Sequence, residues 1–155
     1  ADLDRVVVAG SMVEAVDAVA QEDQSSLRLF LLLQRGLRAL DAGIVGTHLI
    51  TSFLLKLAGV VGVAPALDSC AACGRQEDLA TFSFSSGGVL CQRCRGDRGM
   101  RLRPGLTDYM AALERAEFTE LPEAETAVMA DAMGVARRFV EYHLDRSLTS
   151  LAVLG

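Results

Sequence analysis

Behind Ser11, a hydroxyl suited to an N-cap, the apolar residues Val13, Val16 and Ala20 recur at helical spacing, and the polar run Gln21 to Ser26 closes the element. Ser25 or Ser26 can cap a second helix, which the pattern carries to about Ala42, where Gly43 offers a left-handed stop. On a helical wheel Leu29, Phe30, Leu33, Leu37 and Leu40 share one broad face, while Arg28, Arg35 and Arg38 form a stripe beside Leu31 and Leu32. A third helix over about 45–60 is apolar nearly all round, which predicts a central place among the other elements.

The period changes after Gly59, Gly62 and Pro65. Leu79 to Phe84 alternates, then meets Gly87-Gly88 and the short run Val89-Leu90, which predicts a β-hairpin. A fourth helix is expected from Thr107 as cap to about Glu117, and a fifth from Pro122, whose fixed φ and missing N–H suit a first turn. Val128, Met129, Ala132, Met133, Val135, Ala136, Phe139, Val140, His143 and Leu144 occupy one half of that last helix, opposite Asp131, Arg137, Arg138, Glu141 and Asp145.

Composition sharpens this picture. Apolar residues make up 51% of the 155 positions but aromatics only 5%, with no Trp, so the core must be built from Leu, Val and Ala on helices. The expected fold is mainly α: a bundle of about five helices carrying a small β-hairpin insert. Residues 1–66 form its first helical part, 67–105 the insert, and 106–155 the helices that complete the same domain. The most apolar stretch, from Ile44 to Leu67, is interrupted by Lys56, and the charge-free run 42–55 has 14 residues. That is short of the roughly 18 to 20 needed to span a bilayer, so a buried helix is expected there and no membrane partner. No basic, apolar leader of the secretory kind opens the chain, and a cytoplasmic location is expected.

The net charge of -5 is uneven, with residues 1–66 summing to -2, 67–105 to +2 and 106–155 to -5. The basic segment is the one that holds all four cysteines. Cys70-Ala-Ala-Cys73-Gly and Cys91-Gln-Arg-Cys94 are separated by 17 residues, a spacing typical of four-cysteine zinc sites. Two residues between cysteines let one tight turn aim both sulfurs at one ion, and Gly74 can adopt the positive φ such a turn needs. The expected cofactor is one structural Zn2+ on Cys70, Cys73, Cys91 and Cys94, although thiolates alone do not exclude iron. Disulfides are disfavoured by a reducing compartment, and a thioredoxin-like redox pair by the lack of a βαβ context. Four cysteines fill a tetrahedron, so the metal's expected work is folding the insert into a zinc ribbon.

Arg93, Arg95, Arg98, Arg101 and Arg103 crowd into eleven residues at the second knuckle, with Asp97 the only acid among them. Two readings stand. Guanidinium forks bind phosphate oxygens, which makes these arginines candidate DNA contacts. Equally, a zinc ion with four thiolates carries a net charge of about -2, which arginines around it would neutralise. No phosphate loop, H-E-x-x-H, G-x-S-x-G or dinucleotide fingerprint occurs. His48 lies on the buried third helix and His143 in the apolar face of the fifth, where a hydrogen-bonded core role is expected. The acidic residues of the last third, such as Glu114 and Glu117, are expected to coat solvent-facing helix. The chain does not read as an enzyme.

The order of features resembles the bacterial recombination mediator family RecO. The run F-L-L-K-L-A-G from Phe53 to Gly59, then Pro65, Leu67 and the first cysteine pair, then Phe82-Ser83, Gly87-Gly88 and the second pair, follows that family's sequence of motifs. The last amphipathic helix leads to Leu148 and Ser150, although Thr149 stands where a basic residue is expected. The resemblance implies a central and C-terminal part without the family's N-terminal OB-fold. It also implies a non-enzymatic DNA repair protein that works with RecR and single-strand binding protein, loads recombinase and anneals single-stranded DNA. In the family the helical domain receives the acidic, apolar C-terminal tail of single-strand binding protein, and such a tail calls for an apolar surface rimmed by cations. Arg28, Leu31, Leu32, Arg35 and Arg38 are the candidates. The alternative is a zinc-ribbon scaffold or interaction module of another assembly, without DNA contact.

Overall fold

The computed structural model describes residues 2–20 and 26–144. Three helices open the fold: α1 (Asp2–Ala20), α2 (Ser26–Asp41) and α3 (Thr47–Val60). Helix α1 begins nine residues before the expected Ser11 cap. Val8, Met12, Ala15 and Val19 form its buried stripe, and the Ser11 hydroxyl donates at 2.8 Å to the Val7 carbonyl one turn back, as a mid-helix serine does. The polar run expected to end this helix lies largely outside the described residues.

Helix α2 ends as expected, with Gly43 at φ +92°. Its buried face, however, is Leu29, Leu32, Ala39 and Leu40, and Phe30 is 59% exposed. The cause is Gly36, whose missing side chain lets α2 approach so closely that a Cβ there would lie 3.0 Å from both Met12 Sδ and the Phe53 ring. A wheel weighted by leucines alone does not register that inward glycine.

Helix α3 is central, as predicted, with α1, α2 and two later helices packed on it and ten of its residues buried, Leu49 to Leu55 among them. It starts after Gly46, so Val45 lies before it and is exposed. Those later helices are α5 (Leu106–Arg115) and α6 (Thr126–Leu144), named after a single turn α4 (Gln92–Arg95). Gly105, not Thr107, precedes the first residue of α5. Pro122 lies four residues ahead of α6, its carbonyl accepting the Tyr109 hydroxyl at 2.9 Å, and the first helical bond runs from Met129 N–H to the Glu125 carbonyl. Ser52 Oγ donates to the Leu113 carbonyl at 2.7 Å, which fixes α3 against α5.

The insert is a three-stranded antiparallel sheet in the order β2-β1-β3, with β1 Leu79–Ser83, β2 Gly88–Cys91 and β3 Met100–Arg101. The hairpin was expected; the two-residue β3 was not, being too short to show alternation. Leu67, Phe82 and Val89 join the same apolar core as α3 and α6, whereas Leu90 turns to the cysteines. Among the described residues no helix is long and apolar enough to cross a membrane.

Candidate metal centre

The first knuckle hangs on the edge of β2. Ala66 bridges to Gly88, Ala71 N–H bonds to the Val89 carbonyl at 2.7 Å, and a Cβ on Gly88 would fall within 2.3 Å of the Ala66 oxygen, so only glycine lets the strands approach. The turn is closed by Gly74 N–H to the Cys70 carbonyl at 2.8 Å, with Gly74 at φ +79° as its place after the second cysteine predicts. Cys91 ends β2, and the single turn α4 carries the chain to Cys94.

Hairpin and knuckles bring the four cysteines together, with all four sulfurs within 4.8 Å of one another. Cys73 Sγ and Cys91 Sγ are 3.8 Å apart, the edge of a tetrahedron whose metal–sulfur bonds are about 2.3 Å. The donor set therefore fits one tetrahedral metal ion. The backbone contributes as well: Cys91 N–H points at Cys70 Sγ at 3.4 Å and holds that thiol down to about 6, helped by Cys73 and Ala72 N–H. The N–H groups of Cys94 and Arg93 likewise lower Cys91. Cys94 is pushed up to about 12, because its thiol proton is held by the Cys91 and Cys73 sulfurs and burial adds to the effect. Cys70 and Cys91 are buried with Leu90, while Cys73 is exposed.

The five arginines divide. Arg93 and Arg95 ride on α4, Arg98 lies in the following loop, Arg101 is on β3 and Arg103 just beyond it. Arg98 Nη2 donates to the Cys94 carbonyl at 2.7 Å, so this arginine serves the knuckle. Arg98 and Arg101 also line concave surface between the sheet and α6, together with Arg103, whose Nε is 2.8 Å from Asp131. Arg138, Phe84 and Tyr142 share that surface and escaped the sequence reading, because Arg138 reads as a solvated helix position. The i, i+4 spacing of Arg138 and Tyr142 was the available signal.

On α2, Arg28, Leu31, Arg35 and Arg38 are exposed, but Leu32 is buried in the core and drops out of the candidate surface. Leu27 and Phe30, both largely exposed, take its place. His48 is buried, as expected for α3. His143 is exposed, contrary to the core role expected, with its ring 4.3 Å from Phe139, since the buried stripe of α6 ends at Phe139 and Val140. Glu114 is half-buried, not solvated: burial raises its pKa, and its backbone carbonyl accepts the Lys56 ammonium at 2.6 Å.

A helical body carrying a ribbon with four converging sulfurs defines a helical protein with a four-cysteine centre able to hold a metal ion. Residues 1–152 match the family model described as Recombination protein O C terminal, and the chain belongs to that family. It is similar to the DNA repair protein RecO of Frankia casuarinae, 33% identical over 155 residues that cover 99% of this chain and 64% of the relative. The RecO of Thermobifida fusca is 30% identical with the same coverage. That of a Thermoanaerobacter species is 38% identical over 95 residues, 61% of this chain and 38% of the relative. The chain thus spans 64% of the length of the first two of these relatives.

Proposed function

We propose that this chain acts in DNA repair as a recombination mediator, working in the bacterial cytoplasm with RecR and single-strand binding protein to load recombinase and anneal single-stranded DNA. It performs no covalent chemistry. The observation that carries the reading is similarity along nearly the whole chain to proteins named for DNA repair. The metal is one Zn2+ held by Cys70, Cys73, Cys91 and Cys94; with four protein ligands its contribution is to fold residues 67–105, an insert in the helical domain made by 1–66 and 106–155. Arginines of the insert contact DNA, and the apolar and basic face of α2 receives the acidic tail of single-strand binding protein.

The test is metal analysis of the purified chain together with fluorescence anisotropy against single-stranded DNA and the tail peptide over a salt series. One zinc per chain and salt-sensitive binding of either ligand are expected. A zinc-loaded chain that binds neither at low salt would overturn the mediator reading in favour of a scaffold.

A further inference from the structure

Two concavities of about 450 and 270 Å³ adjoin between the sheet and α6, sharing Met100 and Arg138. The first is lined by Phe84, Arg98 and Tyr142, and the second by Arg101, Arg103 and Asp131. Asp131 is the only acid among the described lining residues, and Arg103 holds its carboxylate at 2.8 Å. Arg98, Arg101 and Arg138 thus crowd one groove of a chain whose net charge is -5, which points to an anionic ligand.

The apolar part of the lining narrows the class. The Arg138 guanidinium lies over the Phe84 ring, 5.2 Å from its centroid, and Phe84 is 6.5 Å from Tyr142 with 36° between the planes. Tyr142 is 55% exposed, in a chain with only two tyrosines. Phe84 is partly buried and covered by Arg138, so Tyr142 offers the open ring, and an open ring beside guanidinium groups suits a ligand that carries phosphates and a flat ring together. A duplex offers the phosphates but keeps its base faces stacked. An acidic peptide meets the arginines but leaves the exposed Tyr142 ring without a stacking partner.

We propose that this groove binds single-stranded DNA, with a base stacked on Tyr142 and phosphates held by Arg98, Arg101 and Arg138. The proposal rests on the DNA role argued above and adds a place and a mode of contact, in which Tyr142 of the last helix matters as much as the arginines of the knuckle.

The chain carries its own reporter. It has no Trp, and Tyr109 is buried with its hydroxyl on the Pro122 carbonyl, so a change in tyrosine emission on binding reports Tyr142. Titration with an oligo-dT should quench that emission. Anisotropy should show oligo-dT bound at least about tenfold more tightly than an abasic strand of equal length. Tyr142→Ala should weaken oligo-dT about tenfold and leave the abasic strand unchanged, Tyr142→Phe should keep the affinity without the quench, and Arg138→Ala should weaken both strands. Because Tyr142 and Arg138 are both exposed, the variants should melt like the parent chain.

Equal binding of oligo-dT and abasic strand, or an unaffected Tyr142→Ala, would overturn the groove while leaving the DNA role standing. No binding of any strand would remove both. Quenching by an acidic peptide but by no oligonucleotide would reassign the groove to a protein partner.

Discussion

The ring of Phe82, on the strand before the second cysteine pair, stands edge-on to Phe139 of α6, their centroids 6.0 Å apart and both side chains buried. The cysteine ribbon and the helical bundle therefore share one continuous apolar core. Truncating a buried phenylalanine to alanine costs about 3–5 kcal/mol, so Phe82→Ala should lower the helical melting temperature by roughly 6 °C or more at this chain length. Chelation should act in the same direction, because releasing the knuckles frees β1 and withdraws Phe82 from Phe139. A far-UV melt unchanged by a strong chelator would show that the ribbon folds independently of the bundle.

Metal uptake by the metal-free chain should release protons and strengthen with pH. At pH 7 Cys70, held to about 6, is already a thiolate, whereas Cys94, pushed up to about 12, keeps its proton and must lose it to bind a cation. Affinity should therefore climb as pH rises from about 6 to 8, and calorimetry in buffers of different ionisation enthalpy should register the released protons. Cys70→Ser and Cys94→Ser should each abolish stoichiometric zinc. A pH-independent affinity would contradict the thiolate assignment.

Much of this site was legible because metal ligation leaves a rigid imprint. Two residues between cysteines, a glycine after the second and a hairpin between the pairs survive as sequence pattern, and the sulfurs converge accordingly. Helix content was legible through periodicity, but helix rotation was not, since it depends on Gly36 meeting Met12 and Phe53 from two other helices. Starts were misplaced at Ser11, Thr107 and Pro122 for a related reason. Each residue type suits a helix start, yet Ser11 satisfies its hydroxyl within the helix and Pro122 gives its carbonyl to Tyr109. The i, i+4 pair Arg138 and Tyr142 was the groove's one trace in the sequence, because Phe84 and Tyr142 lie far apart along the chain and meet only through the packing of the sheet on α6.

Lys56, the only lysine, gives a pH signature. Its ammonium donates to the Glu114 carbonyl at 2.6 Å and sits 5.5 Å from the Phe118 ring centroid, and burial lowers its pKa against the pull of Glu117 and Glu114. Between that lowered value and 10.5 the unfolded chain holds more protons than the folded one, so this group's contribution to stability rises with pH there. Urea unfolding of the parent chain and of Lys56→Met at rising alkaline pH below 10.5 should show the parent gaining on the variant as pH increases. Parallel curves for the two proteins would mean that Lys56 is not desolvated in solution.

Salt dependence should sort the five insert arginines. Each phosphate contact to a single strand contributes about 0.7 to the slope of log affinity against log salt. Arg101→Ala, in the groove, should reduce that slope by about this amount, while Arg93→Ala, on α4 outside it, should leave the slope unchanged. Equal losses at both positions would spread the contact around the knuckle and away from α6.

The exposed face of α2 makes the last prediction, because it combines Leu27, Phe30 and Leu31 with Arg28, Arg35 and Arg38 on one helix. An acidic peptide ending in apolar residues needs both kinds of contact, so Phe30→Ala and the double reversal Arg35→Glu, Arg38→Glu should each weaken the tail of single-strand binding protein. About tenfold is expected for the first and more for the second, where repulsion is added to the lost attraction. Leu32→Ala should instead lower stability by roughly 2–5 kcal/mol, since Leu32 is buried in the core. Oligo-dT binding should not respond to either α2 variant if the groove at α6 is a separate site. A tail peptide that binds the Arg35→Glu, Arg38→Glu chain as well as the parent would remove α2 from the interface and direct the search for its pocket to the Phe84, Arg138 and Tyr142 groove.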